Sequence, residues 1–342
     1  MSLSNHPQAG SVTPPPSVTV SLVTYNGASW LAGCLDSLAE QTFRDFELLV
    51  VDNASTDGTL EYLGAEAGRL PGLSVDASPV NLGFAVAQNR NIYRSRSEFV
   101  CLLNQDVELD ERFLEEALAA FTARPRVGAV QGRLLRLRSN RTRSDTIDTT
   151  GLDMYRSRRV VSRGQGRRDG PGWQSAGPVW GVDGPAPVYR RAALLDVQEP
   201  RTGGGTEILD EDFFMYKEDV DLAWRLRRRG WRTWYQPSAV GWHARTAGAG
   251  DATSLLNVAR SNWQIDPWIK AISWRNQRLM QLKNETSSSI RRDFAWLYAR
   301  EVLSLLFMLL ADTGRLRAAL SLMKAVPSTW RKRSRTGSRW PR

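Results

Sequence analysis

Histidine and cysteine are scarce in this chain, with two of each among 342 residues. Cys34 and Cys101 give no zinc-ligand spacing and no disulfide framework, which argues against a zinc-stapled or disulfide-rich secreted domain. Cys101 sits in an apolar strand pattern and Cys34 on an apolar helix face, so both are expected as buried small hydrophobes in a reduced, cytosolic setting. Long apolar runs are missing as well. The longest, Val302 to Ala311, has ten residues, whereas a membrane-spanning helix needs roughly 20. Residues 1–17 are polar, contain Pro14, Pro15 and Pro16, and lack the basic and apolar parts of a signal peptide. They are expected to be a flexible lead-in, and His6 falls within them.

Positive charge is present in excess. Lys and Arg number 46 against 36 Asp and Glu, a formal +10. Residues 131–170 carry eleven Arg and four Asp, and residues 327–342 add six basic residues with no acid. Such segments favour anionic partners: nucleotide phosphates, lipid head groups or nucleic acid. No nucleic-acid-binding motif accompanies them, so nucleic acid is not expected as a partner.

The first half of the chain has an alternating rhythm. Val18 to Val23 reads as a buried strand, followed by a helix that Ser29 is expected to cap and whose inner side carries Leu31, Cys34, Leu35 and Leu38. Phe46 to Val51 is a second strand, and the turn at Asp57 and Gly58 leads into another helix. Leu73 to Asp76 is a weaker strand. Gly83 precedes a helix through Ala85, Ala87, Asn89 and Asn91, and Phe99 to Leu103 is the next strand. Strand–helix alternation at this spacing predicts an α/β fold with a mostly parallel sheet and crossover helices. Beyond Pro125 the rhythm loosens. Residues 133–178 are expected to run over the surface with a short hairpin, and Val182 to Tyr189 and Thr233 to Gln236 to return as extended segments. Val220 to Arg229 reads as a helix stopped by Gly230. From about Ser254 the pattern is helical and rich in Trp.

Two acidic motifs about 110 residues apart carry the chemistry. The strand Phe99 to Leu103 runs into Asn104-Gln105-Asp106. A carboxylate just past the carboxyl end of a buried strand lies where open α/β sheets bind ligands, and it suits a hard divalent cation held against a diphosphate. The second motif, Phe213 to Asp219, puts Glu218 and Asp219 at the start of a patterned helix, in reach of a general-base role. Cation and base together suggest group transfer with a nucleotide leaving group. Each motif also has a plain reading. Asp106 can be a cap, and Asp52, Asn53 and Asp57 can be turn residues. Acids at a helix start suit the macrodipole, and Asp221 with Arg225 forms an i,i+4 pair.

The order and spacing of these motifs resemble the inverting family 2 glycosyltransferases of the GT-A fold, with bacterial rhamnosyltransferase-like members nearest in character. The resemblance covers residues 18–285 and includes Trp274-Arg275-Asn276-Gln277-Arg278-Leu279 towards its end. It implies that Thr24, Tyr25, Asn26 and Asp52 hold the nucleotide. Asn81, Gly83 and Asn89 would belong to a turn-into-helix element beside the donor. Asn104, Gln105 and Asp106 correspond to the family's Asp-x-Asp metal motif, with Asn104 in place of the first Asp. Asp106 would then be a ligand of Mg²⁺ or Mn²⁺, completed by His243. In the Glu-Asp pair, Asp219 would be the general base and Glu218 would orient the acceptor. Asp183 and Gly184 would line the sugar pocket. Trp180 either stacks on a sugar there or fills core.

The expected protein is a GT-A enzyme with a doubly wound sheet and a helical C-terminal extension. It divides into a flexible segment 1–17, a catalytic domain 18–253, helices 254–326 and a basic tail 327–342. Its donor would be dTDP-rhamnose or a UDP-sugar and its acceptor a saccharide or lipid-linked saccharide, in polysaccharide or cell-envelope biosynthesis. The C-terminal helices are read equally as a packed or oligomer contact and as a basic face for an anionic membrane surface, which would make the enzyme cytoplasmic and peripheral on the inner membrane face. The competing reading is a non-catalytic module of the same fold that binds polysaccharide or membrane lipid.

Overall fold

The computed structural model describes residues 14–122, 124–245, 266–311 and 315–337. Most of the expected lead-in, the helix start near Ser254 and the end of the basic tail lie outside them. Strands β1 (Val18–Thr24), β2 (Phe46–Asn53), β3 (Ser74–Ser78) and β4 (Phe99–Asn104) lie parallel in the order β3-β2-β1-β4. Helices α1 (Ala28–Ala39), α2 (Thr59–Ala65) and α3 (Phe84–Arg94) make the crossovers. A short β5 (Val107–Leu109) and α4 (Phe113–Thr122) precede the long β6 (Val127–Leu137), which forms a hairpin with β7 (Arg143–Thr149). A separate hairpin joins β8 (Leu152–Met154) to β9 (Val160–Ser162). Then come β10 (Gly177–Val179), β11 (Val188–Arg190), α5 (Arg191–Asp196), the small pair β12 (Glu199–Pro200) and β13 (Thr206–Glu207), α6 (Glu218–Arg228) and β14 (Arg232–His243).

The main sheet continues from β4 through β11, β6 and β14 to β10. β11 runs antiparallel to both neighbours, and β6 and β14 are parallel to each other. Alternation along β4 shows how the layers form. Cys101 and Leu103 join the core under α1 and α4, while Val100 and Leu102 join the core under α3, α5 and α6. A strand buried on both faces is largely apolar; β1 is buried at all seven positions, and its polar members Thr19, Ser21 and Thr24 are matched by side-chain hydrogen bonds to Ser95, Gln88 and Asp52. The doubly wound arrangement matches the expectation.

Two local expectations fail. Ser29 does not cap α1, which starts at Ala28 behind Gly27 with no side-chain cap. The stretch 133–178 is not a mere surface excursion: β7 pairs with β6 in the main sheet, β8 and β9 form a two-stranded sheet of their own, and Asp148 and Thr149 are fully buried.

Three C-terminal helices follow, Pro267–Asn284, Ser287–Ala311 and Arg315–Gly337. Asp266 caps the first, accepting from the Trp268 N–H at 2.7 Å, with Pro267 at the position where its missing N–H costs nothing. The third runs through Pro327, so the boundary expected at 326/327 falls inside a helix. Lys332, expected in a loose tail, is buried.

Candidate active site

The carboxyl ends of β1, β2 and β4 open a crevice of the kind where doubly wound sheets take ligands. Tyr25 is 49% exposed at the end of β1. Its backbone is held on both sides by Gln105, whose Oε1 accepts from Tyr25 N at 2.9 Å and whose Nε2 donates to Tyr25 O at 3.1 Å. Asp52 is fully buried, and its carboxylate accepts from Thr24 Oγ1 at 2.9 Å and Ser55 N at 3.0 Å. It therefore braces the turn, and Asn26 does likewise by accepting from Thr56 N at 2.9 Å. Asn81 Oδ1 accepts from Gly83 N at 2.9 Å. Gly83 has φ +81°, and a Cβ there would stand 2.5 Å from the Phe214 ring, so the turn requires glycine on both counts. Asn89, expected to reach the donor, points elsewhere. Its amide exchanges two 2.8 Å hydrogen bonds with the backbone of Leu209, because α3 packs its polar side inward.

Asp106 and His243 meet through strand pairing. β5 runs antiparallel to the end of β14 with His243 opposite Val107, which sets His243 Nε2 3.4 Å from Asp106 Oδ1. Both side chains are buried. The other ring nitrogen, Nδ1, lies 2.8 Å from Asp148 Oδ2. Asp148 in turn receives Arg136 and Arg245 at 2.9 Å each. Burial opposes charge on Asp148, but His243, Arg245 and Arg136 outweigh it and hold its carboxyl below the usual range. Burial likewise opposes an imidazolium at His243, and the Asp106 and Asp148 carboxylates win, raising it to about 9. A carboxylate on the remote nitrogen of a histidine fixes the tautomer that presents Nε2 to a ligand. Near Asp106, Asn104 Oδ1 is buried without a hydrogen-bond partner.

The second motif is held in an unfavourable backbone. Phe214, Tyr216 and Lys217 take φ of 63°, 68° and 75°, and each such residue costs on the order of 1–3 kcal/mol unless the surroundings impose it. Asn276, fully buried on the first C-terminal helix, imposes it: its Nδ2 donates to the carbonyls of Phe213, Met215 and Tyr216 at 2.8–2.9 Å. Beside it Arg275 donates to Asp212 O at 2.8 Å.

This loop delivers Glu218 and Asp219 to the first turn of α6. Asp219 is partly exposed, accepts from Val220 N at 2.7 Å, and faces Gly184, where a Cβ would lie 3.8 Å from its Oδ2. Burial and then the Asp183 carboxylate push Asp219 up to about 6. Glu218 is buried, its Oε2 lacks a hydrogen-bond partner, and burial followed by Asp219 takes it to about 8. Asp183 is set by Gln131, whose Oε1 accepts from its N–H at 2.7 Å. Trp180 packs edge-on against Trp224 with 6.3 Å between centroids. It lines a cavity of about 270 Å³ with Met154, Arg158, Trp224 and Arg228.

A second acidic cluster, Glu199, Asp210 and Asp221, has ligand atoms within 4.8 Å of one another. Its occupant is the ammonium of Lys283, 2.6, 2.6 and 2.8 Å from the three carboxylates. This is a structural hub, in keeping with the pairing of Asp221 and Arg225 at 2.8 Å.

Comparison with known proteins places the chain among sugar-transferring enzymes. Residues 19–178 match the family described as Glycosyl transferase family 2. That stretch is similar to a family 2 glycosyl transferase domain, and the protein is a glycosyltransferase. It is similar to the N-acetylglucosaminyl-diphospho-decaprenol L-rhamnosyltransferase of Mycobacterium tuberculosis, 29% identical over 309 residues, 79% of this chain and 93% of that one. A poly-beta-1,6-N-acetyl-D-glucosamine synthase of Staphylococcus aureus is 24% identical over 225 residues, 66% of this chain and 49% of the synthase. Among solved structures, S. aureus TarS 1-349 in complex with UDP-GlcNAc superposes with a TM-score of 0.56 at 19% identity, over 91% of this chain and 82% of that one. That likeness establishes a shared GT-A fold.

Sequence reasoning overlooked Asp148 and gave Asn276 no role, although it singled out the stretch that holds Asn276. Asp148 lies in the Arg-rich stretch and looks like one more surface acid, although its neighbours Ile147, Thr149 and Thr150 hint at a buried strand. Asn276 carries no local sign of its task, because the loop it clamps lies sixty residues earlier.

Proposed function

We propose that the protein is an inverting transferase that moves a sugar from a nucleoside diphosphate donor to a saccharide or lipid-linked saccharide. Asp219 carries this reading: a partly exposed carboxylate on an imposed backbone, tuned by burial and Asp183 to about 6, close to the pH at which a base must work. Asp219 takes the proton of the acceptor hydroxyl as that oxygen bonds to the anomeric carbon. The bond from that carbon to the diphosphate oxygen breaks on the opposite face, and the diphosphate departs with its electron pair. Glu218 orients the acceptor, and Asp183 and Gly184 shape the space beside the attacking oxygen. Tyr25, with its backbone fixed by Gln105, offers a ring face to the base.

The Asp106–His243 pair fits a divalent cation. Ligand atoms at right angles around Mg²⁺ stand roughly 3 Å apart, and Asp106 Oδ1 and His243 Nε2 are 3.4 Å apart with the imidazole already oriented by Asp148. These two residues would hold Mg²⁺ or Mn²⁺, the remaining positions falling to phosphate and water. Bound there, the ion supplies electrostatic stabilisation of the leaving diphosphate. A non-catalytic binding module has no use for an unsatisfied buried acid on a costly backbone, which favours the enzyme.

The similarity to the mycobacterial rhamnosyltransferase supports dTDP-rhamnose as the donor, and the TarS fold leaves a UDP-sugar as the alternative. A lipid-linked acceptor would place the enzyme at the cytoplasmic face of a membrane. Thermal unfolding with dTDP and with UDP, each with and without Mn²⁺, tests the donor site. Ligand at a hundred times its Kd stabilises by about 2.7 kcal/mol. The expected result is a metal-enhanced rise with one of the two, followed by transfer whose product shows inverted anomeric configuration by NMR. Retained configuration, or no rise with either nucleotide, overturns the reading.

A further inference from the structure

The helix Ser287–Ala311 is built inside out. Its face towards the protein is polar. Asp293 receives Arg156 at 2.8 Å and Arg158 at 2.9 Å, Arg300 donates to Ser157 O at 2.8 Å, and Glu301 pairs with Arg278 at 2.6 Å. Ser304 accepts from Trp274 Nε1 at 3.1 Å and Arg278 at 3.0 Å. Its outward face is apolar. From Phe294 to Leu306 every exposed side chain is Phe, Trp, Tyr, Leu or Ala, with Phe294 61%, Trp296 57%, Tyr298 62% and Leu303 67% exposed. A helix in water carries the opposite pattern, and an apolar surface this extended marks an interaction site.

The helix Arg315–Gly337 repeats the theme. Leu320, Met323, Val326 and Trp330 are exposed, with Lys324 and Arg331 exposed beside them. Both helices lie against Pro267–Asn284, which also supplies Asn276 to the site.

We propose that these outward faces dock onto an anionic lipid bilayer surface, with Phe294, Trp296, Leu303, Leu320, Met323 and Trp330 entering the headgroup–acyl boundary. Charge decides between lipid and a second copy of the chain. Apart from Lys332, which is buried in the acidic hub, residues 313–342 hold eight Lys and Arg and no acid. A two-fold interface sets a patch against itself, so those cations would meet one another. An anionic leaflet attracts them, and Trp and Tyr flanked by Lys and Arg is the composition of an interfacial helix. No helix among the described residues is long and apolar enough to cross a membrane, so the contact is peripheral. The inference concerns where the enzyme works and not its reaction, so failure to bind lipid leaves the proposed chemistry standing.

The test uses the full chain with vesicles of phosphatidylcholine alone and of phosphatidylcholine with phosphatidylglycerol. Co-sedimentation is expected with the anionic vesicles, weakened about tenfold or more by high salt and similarly by Phe294→Ser, Trp296→Ser and Trp330→Ser together. Because that triple variant loses bulk, a gentler pair, Trp296→Phe with Trp330→Phe, is read by fluorescence quenching from brominated anionic lipid. Quenching should be strong in the parent chain and largely lost in the pair. The proposal fails if neither vesicle type binds, if neutral and anionic vesicles bind equally, or if quenching survives in the pair. It also fails if the parent chain is a lipid-indifferent dimer that the triple variant turns into a monomer.

Discussion

Between Asp210 and Asp221 the chain places two sets of acids with opposite fates. Asp210, Asp212 and Asp221 each have an ammonium within 3 Å, from Lys283 or Lys332. Glu218 and Asp219, between them, have no such partner among the described residues: Glu218 Oε2 is orphaned and Asp219 accepts from a backbone N–H. Glu218 is buried as Asp210 and Asp221 are, so what separates these acids is the close ammonium that Glu218 lacks. The C-terminal helices send Lys283 and Lys332 to one set and a neutral amide, Asn276, to the loop that bears the other. Two ammoniums hold the Asp210 carboxyl below the usual range, whereas burial raises the proton affinity of Glu218 and Asp219, which Lys217 offsets only in part, as a general base requires.

The contrast breaks most sharply at Asp219. Asp219→Asn should lower kcat by roughly a thousandfold, within the range for loss of a general base, while the thermal shift with nucleotide persists. Retained turnover would move the base elsewhere. On the paired side, Lys283→Met should leave turnover per folded molecule nearly unchanged but destabilise the chain. Removing one partner of a buried ion pair costs about 3–5 kcal/mol, and urea unfolding reads it directly. A loss below about 1 kcal/mol would mean that the hub is wetter than its geometry implies.

How far this contrast was legible in sequence depends on the reach of the interactions. The alternating strands and helices and the helix stop at Gly230 follow from local pattern, and the structure reproduces them. Asp106 stood out by its place past the end of a buried strand and Glu218 and Asp219 by theirs at a helix start after an aromatic segment, whereas His243 was singled out only through the family resemblance. Asn89 misled because a polar residue on a small-residue helix looks like a ligand contact, while its amide is matched to the backbone of Leu209, 120 residues away. Asp52 left both readings open, and in the fold its carboxylate is occupied by Thr24 and Ser55. Lys332 was read only as one of the basic residues of the tail, yet it completes the hub from more than a hundred residues downstream. Partners so distant in sequence leave no periodicity to read.

Asn276 sharpens the comparison, since it acts on the unpaired set without carrying charge. Asn276→Ala frees three carbonyls and lets the Phe214–Lys217 backbone relax away from positive φ. A displacement of about 1 Å at a reacting group can cost roughly a hundredfold. The expected outcome is a ten- to hundredfold fall in kcat with the nucleotide-induced thermal shift retained. The acidic limb of the pH–rate profile should also move away from about 6, because Asp219 would sit at a different depth. An unchanged limb would reduce Asn276 to a packing residue.

The smallest effect is expected at Glu218 and is the most direct reading of its missing partner. Its carboxyl sits at about 8 in the fold against a usual 4.5, chiefly through burial and then through Asp219. Between those two values the folded chain holds a proton that the unfolded chain has lost, so stability falls as pH rises through this window and the deficit is complete above about 8. Glu218→Gln removes the titration and keeps the shape. Its melting temperature should match the parent near pH 4.5 and exceed it by a few degrees, roughly 1–2 °C per kcal/mol in a chain of this size, at pH 9. The activity of the variant should fall in the same experiment, since an acid kept at a cost to stability is kept for the acceptor. If the Glu218→Gln variant instead melts below the parent at pH 9, Glu218 is being held ionised by a cation, and the division between paired and unpaired acids collapses at that residue.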